Sequence, residues 1–245
     1  MTLHNTRTFM LAATLLITTG GVALADGSLK QAKVIIEHNA TDNDTGFQVS
    51  LDADGWEKLT LTGPNGLIAE FHPKGGVNEL GMTELFLETV EPENVKMPLA
   101  ALLKKMPAGA YEFRATASML GGNSGVMVST ATLSHKIPAG VSLVEPKADA
   151  VIPVGDTIMS WSGSDKAIDG SPASIIAYQL IIEKDEQPHP RMIGKRGLSM
   201  YLPATTNEIR IPGTFFEAKT GYLWEVLAIE ESGNQTLQSG AFKTQ

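Results

Sequence analysis

Two pairs of aspartates have the spacing that comes closest to a known binding chemistry. Asp42 and Asp44 precede a short apolar run, Phe47–Leu51, and Asp52 and Asp54 follow it. Asp-x-Asp spacing places two carboxylates on one side of an extended loop, where hard oxygens can bind calcium. The pattern permits one weak calcium site at one end of the run, completed by backbone carbonyls. We favour ordinary turn residues, because acids beside glycine are typical of turns, and we assign no metal ligands.

The histidines do not form a recognisable catalytic pattern. No His-x-x-x-His or His-Glu-x-x-His pair, nucleophile elbow, phosphate-binding loop or dinucleotide motif is present in the sequence. A triad assembled from distant residues remains open. We interpret the histidines as surface or strand-edge side chains, predict a protein that is not an enzyme, and assign no catalytic or cofactor-binding residues and no cofactor. The histidines are His4, His38, His72, His135 and His189.

One basic segment, His189–Gly197, stands out in an acidic chain. Arg191, Lys195 and Arg196 lie within nine residues. They would suit an anionic partner such as a polysaccharide or a lipid head group, but a solvated hairpin loop explains them as well, and we favour the hairpin.

Composition excludes several classes of function. The chain has 245 residues, a formal net charge of −8 and no cysteine, and 42% of its residues are hydrophobic. The charge argues against nucleic-acid binding, which needs a basic face. The lack of cysteine excludes disulfides and thiolate chemistry. The hydrophobic content predicts a packed core.

The first 25 residues have the pattern of a signal peptide. A basic Arg7 precedes the apolar run Phe9–Ile17, and small residues at Ala23 and Ala25 suit cleavage before Asp26. The apolar run is too short for a membrane anchor. We therefore predict no membrane span and export to the periplasm or the extracellular space.

A first β-domain is expected over residues 30–136. Apolar and polar residues alternate with the period of two that is typical of strands, and the connections are too short for crossover helices. One helix stripe, Pro98–Met106, is predicted to close one end of the domain rather than to bind a membrane or a partner. The runs with strand character are 34–36, 47–51, 59–61, 67–71, 85–87, 111–115 and 126–133.

A second β-domain is expected over residues 141–245, after a short extended linker at 137–140. Its most regular part, Phe216–Thr236, contains alternating residues from Tyr222 and a turn at Glu231–Asn234. The hairpin that begins at Tyr111 repeats this design 111 residues earlier. A weak repeat at this spacing predicts two sandwich domains.

The second domain resembles the fibronectin type III superfamily over its whole length. Thr157–Trp161 is similar to that family's second strand with its core tryptophan, and Ile175–Ile182 to its third. Phe216, Thr220 and Tyr222 are similar to its tyrosine corner, although Ala218 stands where proline is usual. The resemblance implies that the Tyr222 hydroxyl binds upstream backbone. The whole chain is similar to bacterial exported proteins that pair a β-domain with a fibronectin type III domain, which implies no mechanism.

The sequence thus predicts an all-β protein with two tandem immunoglobulin-like or fibronectin type III-like β-sandwiches after a signal peptide. We expect a non-catalytic binding, adhesion or spacer protein of the cell envelope, whose partner is a protein or polysaccharide. The alternative is an accessory protein or a small hydrolase that uses carboxylates on envelope or extracellular polysaccharide. A concave pocket with convergent titratable groups would favour the hydrolase.

Overall fold

The computed structural model describes residues 27–122, 124–163 and 165–245, so the predicted signal peptide at 1–25 lies outside it. Strands dominate the described chain, as the alternating pattern predicts, and the helices are single short turns. The strands are β1 (Gln31–Asn39), β2 (Asp44–Gly63), β3 (Gly66–Phe71), β4 (Met82–Glu88), β5 (Gly109–Ala117), β6 (Val126–Leu133), β7 (Ser142–Glu145), β8 (Ala150–Ile152), β9 (Thr157–Ser162), β10 (Ile175–Lys184), β11 (Gly197–Pro203), β12 (Glu208–Ile211), β13 (Gly221–Glu230) and β14 (Gln235–Thr244). The α-helices are α1 (Gly76–Leu80) and α2 (Leu99–Leu103), and 3-10 turns occur at Met119–Gly121 and Gly213–Phe215.

The first domain is folded around the long strand β2. The first half of β2 pairs with β1 and β4, and its second half pairs with β5 and β3. The register shifts between Asp52 and Trp56, where the strand passes from one layer to the other, as strands do at sandwich corners. Trp56 is buried at this bend. The sequence suggested two separate runs here, but the structure makes them one strand.

The core of the first domain lies between these two layers. Inward side chains of β1, β2, β5 and β6 form one apolar cluster, and Leu102 of α2 packs against it. The predicted helix is therefore present and packs on the core of its domain, although α2 covers only Leu99–Leu103. Strand β5 is anchored by Tyr111, whose hydroxyl donates a 2.7 Å hydrogen bond to the carbonyl oxygen of Pro107.

The second domain consists of two sheets with their own core. One sheet has the order β7-β9-β12, and the other has the order β11-β10-β13-β14 with β8 paired in parallel to β14. Trp161, Trp224 and Leu180 are buried between the sheets. The Tyr222 hydroxyl accepts a 2.8 Å hydrogen bond from the backbone N–H of Glu217, so the predicted tyrosine corner is present despite Ala218.

The two domains share one sheet. The segment Glu37–Asn39 of β1 pairs in parallel with Gln235–Leu237 of β14, and the N–H of Ala40 donates to the carbonyl oxygen of Leu237 at 2.9 Å. The resulting strand path runs β11-β10-β13-β14-β1-β2-β5-β6 across both domains. One continuous outer face therefore crosses the domain junction.

Asn234 lies at the centre of this junction and is completely buried. Its side-chain oxygen accepts a hydrogen bond from the N–H of Ile36 at 2.8 Å. Its side-chain nitrogen donates to the carbonyl oxygens of Ser134 and Lys136 at 2.9 and 2.8 Å. One amide thus satisfies three backbone groups of the first domain from the β13–β14 turn of the second, which a buried polar group must do to be tolerated.

The linker is held along its length. Ile137 and Pro138 are buried, the Thr236 hydroxyl donates to the carbonyl oxygen of Pro138 at 2.5 Å, and the N–H of Ala139 donates to the carbonyl oxygen of Lys166 at 2.7 Å. Such contacts leave the linker little freedom to bend, since each bond would have to be broken for a change of domain angle.

Candidate functional site

The outer face of the shared sheet carries a concave surface lined by residues of both domains. Because side chains alternate along a strand, the residues between the buried ones on β1, β2, β10 and β13 point outward. Pairing aligns them into rows across the sheet. Tyr201 lies opposite Gln179, which lies opposite Leu227, and Leu227 lies opposite Leu237, although both leucines are buried. The last of these pairs with Asn39 of the first domain.

A groove of about 890 Å³ follows this face over the junction, and we call it the junction groove. Its exposed apolar side chains are Phe86 on β4, Tyr201 on β11 and Ile176 on β10, with exposed fractions of 61%, 71% and 54%. Between them lie the neutral side chains Gln31, Gln48, Ser50, Gln179, Ser232 and Gln235. The groove thus offers apolar contact area at its two ends and hydrogen-bonding groups in the middle.

Three glutamates form a cluster next to the groove. One carboxylate oxygen of each of Glu37, Glu88 and Glu91 lies within 4.8 Å of the other two, and we call these residues the glutamate cluster. Gln235 donates to Glu37, and Gln48 donates to Glu88 at 2.9 Å. Both glutamines also line the junction groove. The cluster is therefore attached to the wall of the groove.

The surroundings of the glutamate cluster raise the pKa of its carboxyl groups Glu37 and Glu91. Burial, reinforced by the charges of Glu37, Glu88 and Asp44, raises the pKa of Glu91 from 4.5 to about 7. Burial also raises the pKa of Glu37 and of Glu225, a half-buried residue on the outward face of β13. Carboxylates near one another and out of water resist ionisation in this way.

No cation of the chain relieves this charge within the described residues. None of the ion pairs found there involves Glu37, Glu88 or Glu91. One carboxylate oxygen of Glu91 is buried and lacks a hydrogen-bond donor in the same part of the chain. Gly46 supports this side chain closely, because a Cβ at that position would lie 2.7 Å from Cγ of Glu91. The glutamate cluster can therefore bind a positively charged group or share a proton among its carboxylates.

The four aspartates considered as calcium ligands do not come together. In the β1–β2 register Asp44 lies opposite Asn39 and Asp52 lies opposite Gln31, so the two pairs are about 27 Å apart along the strands. Asp54 pairs with Lys30, and Asp42 accepts a 3.0 Å hydrogen bond from Asn39. The pairs lie at opposite ends of the part of β2 that pairs with β1, as the length of the run implied.

The described histidines, His38, His72, His135 and His189, do not form a shared site, and His4 lies outside the described residues. His38 is buried, with Nδ1 2.8 Å from the carbonyl oxygen of Asp44, so the interpretation of this residue as a surface or strand-edge side chain is wrong. Burial lowers its pKa. His135 contacts the carbonyl oxygen of Met106 at 2.9 Å, and His72 contacts the Lys74 ammonium group at 2.8 Å. Each makes local contacts rather than forming a shared site.

The basic segment His189–Gly197 connects β10 to β11, and acids of the same domain balance most of its charge. Arg196 forms ion pairs with Glu186 at 2.9 Å and with Glu217 at 3.3 Å. Lys195 lies 3.7 Å from Glu183. These contacts favour the hairpin interpretation over recruitment of an anionic partner, because Lys195 and Arg196 already have carboxylate partners.

The glutamate cluster and the junction groove have only weak signals in the sequence. Val34 and Ile36 indicate that Glu37 follows the outward face of β1, and Glu88-x-x-Glu91 is visible as a spacing. Neither signal shows that β1 lies beside β14 or that Glu91 folds back over Gly46. Such proximity is a result of tertiary structure.

The fold class of the second domain is decided by its strand order and its tyrosine corner. A three-stranded sheet packs on a four-stranded sheet, and Tyr222 binds the backbone just upstream of β13. The domain has a fibronectin type III-like fold. The described residues contain no helix long and apolar enough to cross a membrane.

Comparisons with known proteins add structural likeness alone. No protein-family model and no curated protein matches the chain. A segment of two fibronectin type III domains from chicken tenascin is 12% identical, with a TM-score of 0.32, and the match covers 88% of this chain and 99% of the segment. The FN1–FN3 domains of chicken CNTN1 are 8% identical, with a TM-score of 0.30, covering 90% of this chain and 66% of that structure.

Proposed function

We propose that this protein is an exported, non-catalytic binding module of the cell envelope that holds its partner in the junction groove. The observation that carries the proposal is the shared sheet, because the β1–β14 pairing joins the outward faces of two domains into one surface. A partner that contacts both ends of the groove contacts both domains. Export rests on the signal-peptide pattern, and the mature chain is expected to begin at Asp26 by intact mass.

The junction groove has the composition of a recognition surface. Exposed aromatic and aliphatic side chains at its ends supply apolar area that a partner can bury. The amide side chains between them can form hydrogen bonds that orient the partner. Exposed apolar side chains that gather on one face of a soluble protein mark interaction sites.

A pull-down from envelope extract tests the proposal. The bait is the mature protein, and the comparison is a variant with Phe86→Ser and Tyr201→Ser, both at exposed positions. We expect the wild type to retain partners that the variant loses. A matched control is Val151→Ser, because Val151 is 61% exposed on β8, outside the groove. An identical set of captured partners with all three baits would refute the proposal.

Hydrolysis is the second candidate, and the glutamate cluster is the observation that favours it. A carboxyl with a pKa of about 7 beside other carboxylates has the properties of a general acid with a neighbouring base. In that case Glu91→Gln would abolish release of reducing sugar from envelope polysaccharide by the mature protein. We expect no release from the wild type, since the carboxylate oxygens of the cluster lie within 4.8 Å of one another and do not flank a space for a glycosidic bond, as the acid and base of a glycosidase do.

A further inference from the structure

We propose that the occupant of the junction groove is an extended, positively charged segment of a partner protein, whose basic side chain enters the glutamate cluster. This inference rests on the proposed function and adds the chemistry of the partner. It follows from the shape of the groove, from the charges around it and from the lack of an internal cation at the cluster.

The dimensions of the groove suit an extended chain. Phe86 on β4 and Tyr201 on β11 are separated by six strand-to-strand steps, through β2, β1, β14, β13 and β10. At the usual strand spacing this distance is about 29 Å, which about eight residues of extended polypeptide span. Such a segment can place apolar side chains on Phe86 and Tyr201 at the same time.

The charges around the groove favour a cation. Glu231 lines it, the glutamate cluster stands beside it, and Glu84 shares the outward face of β4 with Phe86 and Glu88. Two lysines lie near this face: Lys33 lines the groove, and Lys195 is already 3.7 Å from Glu183. The acids outnumber the bases, so a basic segment is attracted and steered by the field.

The glutamate cluster has no positively charged partner among the described residues, and a basic side chain would supply one. The buried oxygen of Glu91 lacks a donor among the described residues, and burial together with the charges of Glu37 and Glu88 raises the pKa of this carboxyl. A lysine or arginine at this point would form charge-assisted hydrogen bonds with the carboxylates.

The same charges disfavour the other occupants. A second copy of this chain would bring two acidic faces together, which costs free energy. An acidic polysaccharide or a nucleic acid would be repelled for the same reason. A neutral glycan could donate hydrogen bonds through its hydroxyls, but it would bring no positive charge to balance the three carboxylates.

Binding of synthetic peptides to the mature protein, measured by titration calorimetry, tests the inference. The probes are an eight-residue peptide that alternates lysine and valine, its serine–valine and glutamate–valine counterparts, and maltohexaose. We expect the lysine–valine peptide to bind most tightly, and added salt to weaken it, because charge interactions at a solvent-exposed rim are screened.

Two pairs of substitutions test whether the peptide binds through the charge of the glutamate cluster. Glu88→Gln with Glu91→Gln keeps the side-chain shape and removes the charge, and we expect it to weaken binding of the lysine–valine peptide about tenfold. Glu79→Gln with Glu208→Gln removes the same charge from exposed positions outside the groove, and we expect less than about a twofold change, as long-range effects are screened.

The outcomes separate this inference from the proposed function. Equal binding of the serine–valine peptide, tighter binding of maltohexaose, or no binding of the lysine–valine peptide would each overturn the inference. So would equal weakening by the two pairs of substitutions. The proposed function would survive these results if Phe86→Ser with Tyr201→Ser still removed partners in the pull-down, and would fail together with the inference if it did not.

Discussion

At the scale of single residues, one tyrosine in each domain forms a hydrogen bond between its hydroxyl and the backbone upstream of it. Tyr111 donates to the carbonyl oxygen of Pro107, and Tyr222 accepts from the N–H of Glu217. Both are fully buried. Each hydroxyl fixes the chain just before the strand that it begins, so the weak repeat seen in the sequence corresponds to a repeated structural device.

We therefore expect Tyr111→Phe and Tyr222→Phe each to destabilise the protein by about 1–3 kcal/mol, since each leaves a buried backbone group without its partner. Urea unfolding followed by tryptophan fluorescence gives the change. Tyr201→Phe is the matched control, because Tyr201 is 71% exposed, and its midpoint should not move. Unchanged midpoints for both buried variants would show that the hydroxyls do not stabilise the corners.

Protonation of Glu91 is the second residue-scale property with a measurable consequence. Its pKa is raised to about 7, so between its ordinary value of 4.5 and about 7 the folded chain binds more protons than the unfolded chain. This contribution to stability is therefore fully present below about pH 4.5, falls as the pH rises to about 7, and is constant above that.

Glu91→Gln removes this dependence, because an amide has the shape of the protonated carboxyl without its titration. We expect the variant to have the higher midpoint of thermal unfolding at about pH 8 and to match the wild type near pH 4.5. Glu208→Gln, at an exposed position of β12, should differ from the wild type by the same amount at both pH values. A constant difference for Glu91→Gln as well would contradict the raised pKa.

At the scale of elements, the β13–β14 turn both reverses the chain and contacts the first domain. Gly233 has a φ of 92°, which side-chain-bearing residues rarely adopt, and this brings Asn234 back toward the first domain. The asparagine then reaches Ile36, Ser134 and Lys136. A turn that the sequence marks as an ordinary hairpin therefore fastens the two domains.

Asn234→Ala should destabilise the protein by about 2–4 kcal/mol, because three buried backbone groups lose their partner. The loss falls on the junction, so we also expect the scattering profile in solution to show a wider spread of domain orientations. Asn207→Ala is the control, since Asn207 is exposed. Identical scattering and stability for the two variants would show that the amide does not hold the junction.

At the scale of the whole molecule, the shared sheet and the held linker join two sandwiches into one surface. At the domain junction β1 pairs in parallel with β14. Thr236 of β14 also donates a hydrogen bond to Pro138 of the linker. Domains joined by few contacts move relative to one another by default. Here the backbone hydrogen bonds at the junction oppose that motion.

The sequence by itself determined the fold class and most strands. Alternation of apolar and polar residues has a period of two, so it reports which face of a strand is buried. The alternation correctly predicted the hairpin after Tyr222, and helical spacing of apolar residues predicted the short helix at Leu102. The resemblance to the fibronectin type III superfamily implied the tyrosine corner. These features depend on neighbours in the chain, and a local pattern can encode them.

The tertiary structure alone decided where the candidate site lies. Glu37 and Gln235 are 198 residues apart in the chain, and Phe86 and Tyr201 belong to different domains. No local pattern specifies that β1 pairs with β14, because that choice depends on how two separate cores meet. The glutamate cluster and the junction groove exist because the sheet continues from one domain into the other, and this continuity is a property of the packed molecule.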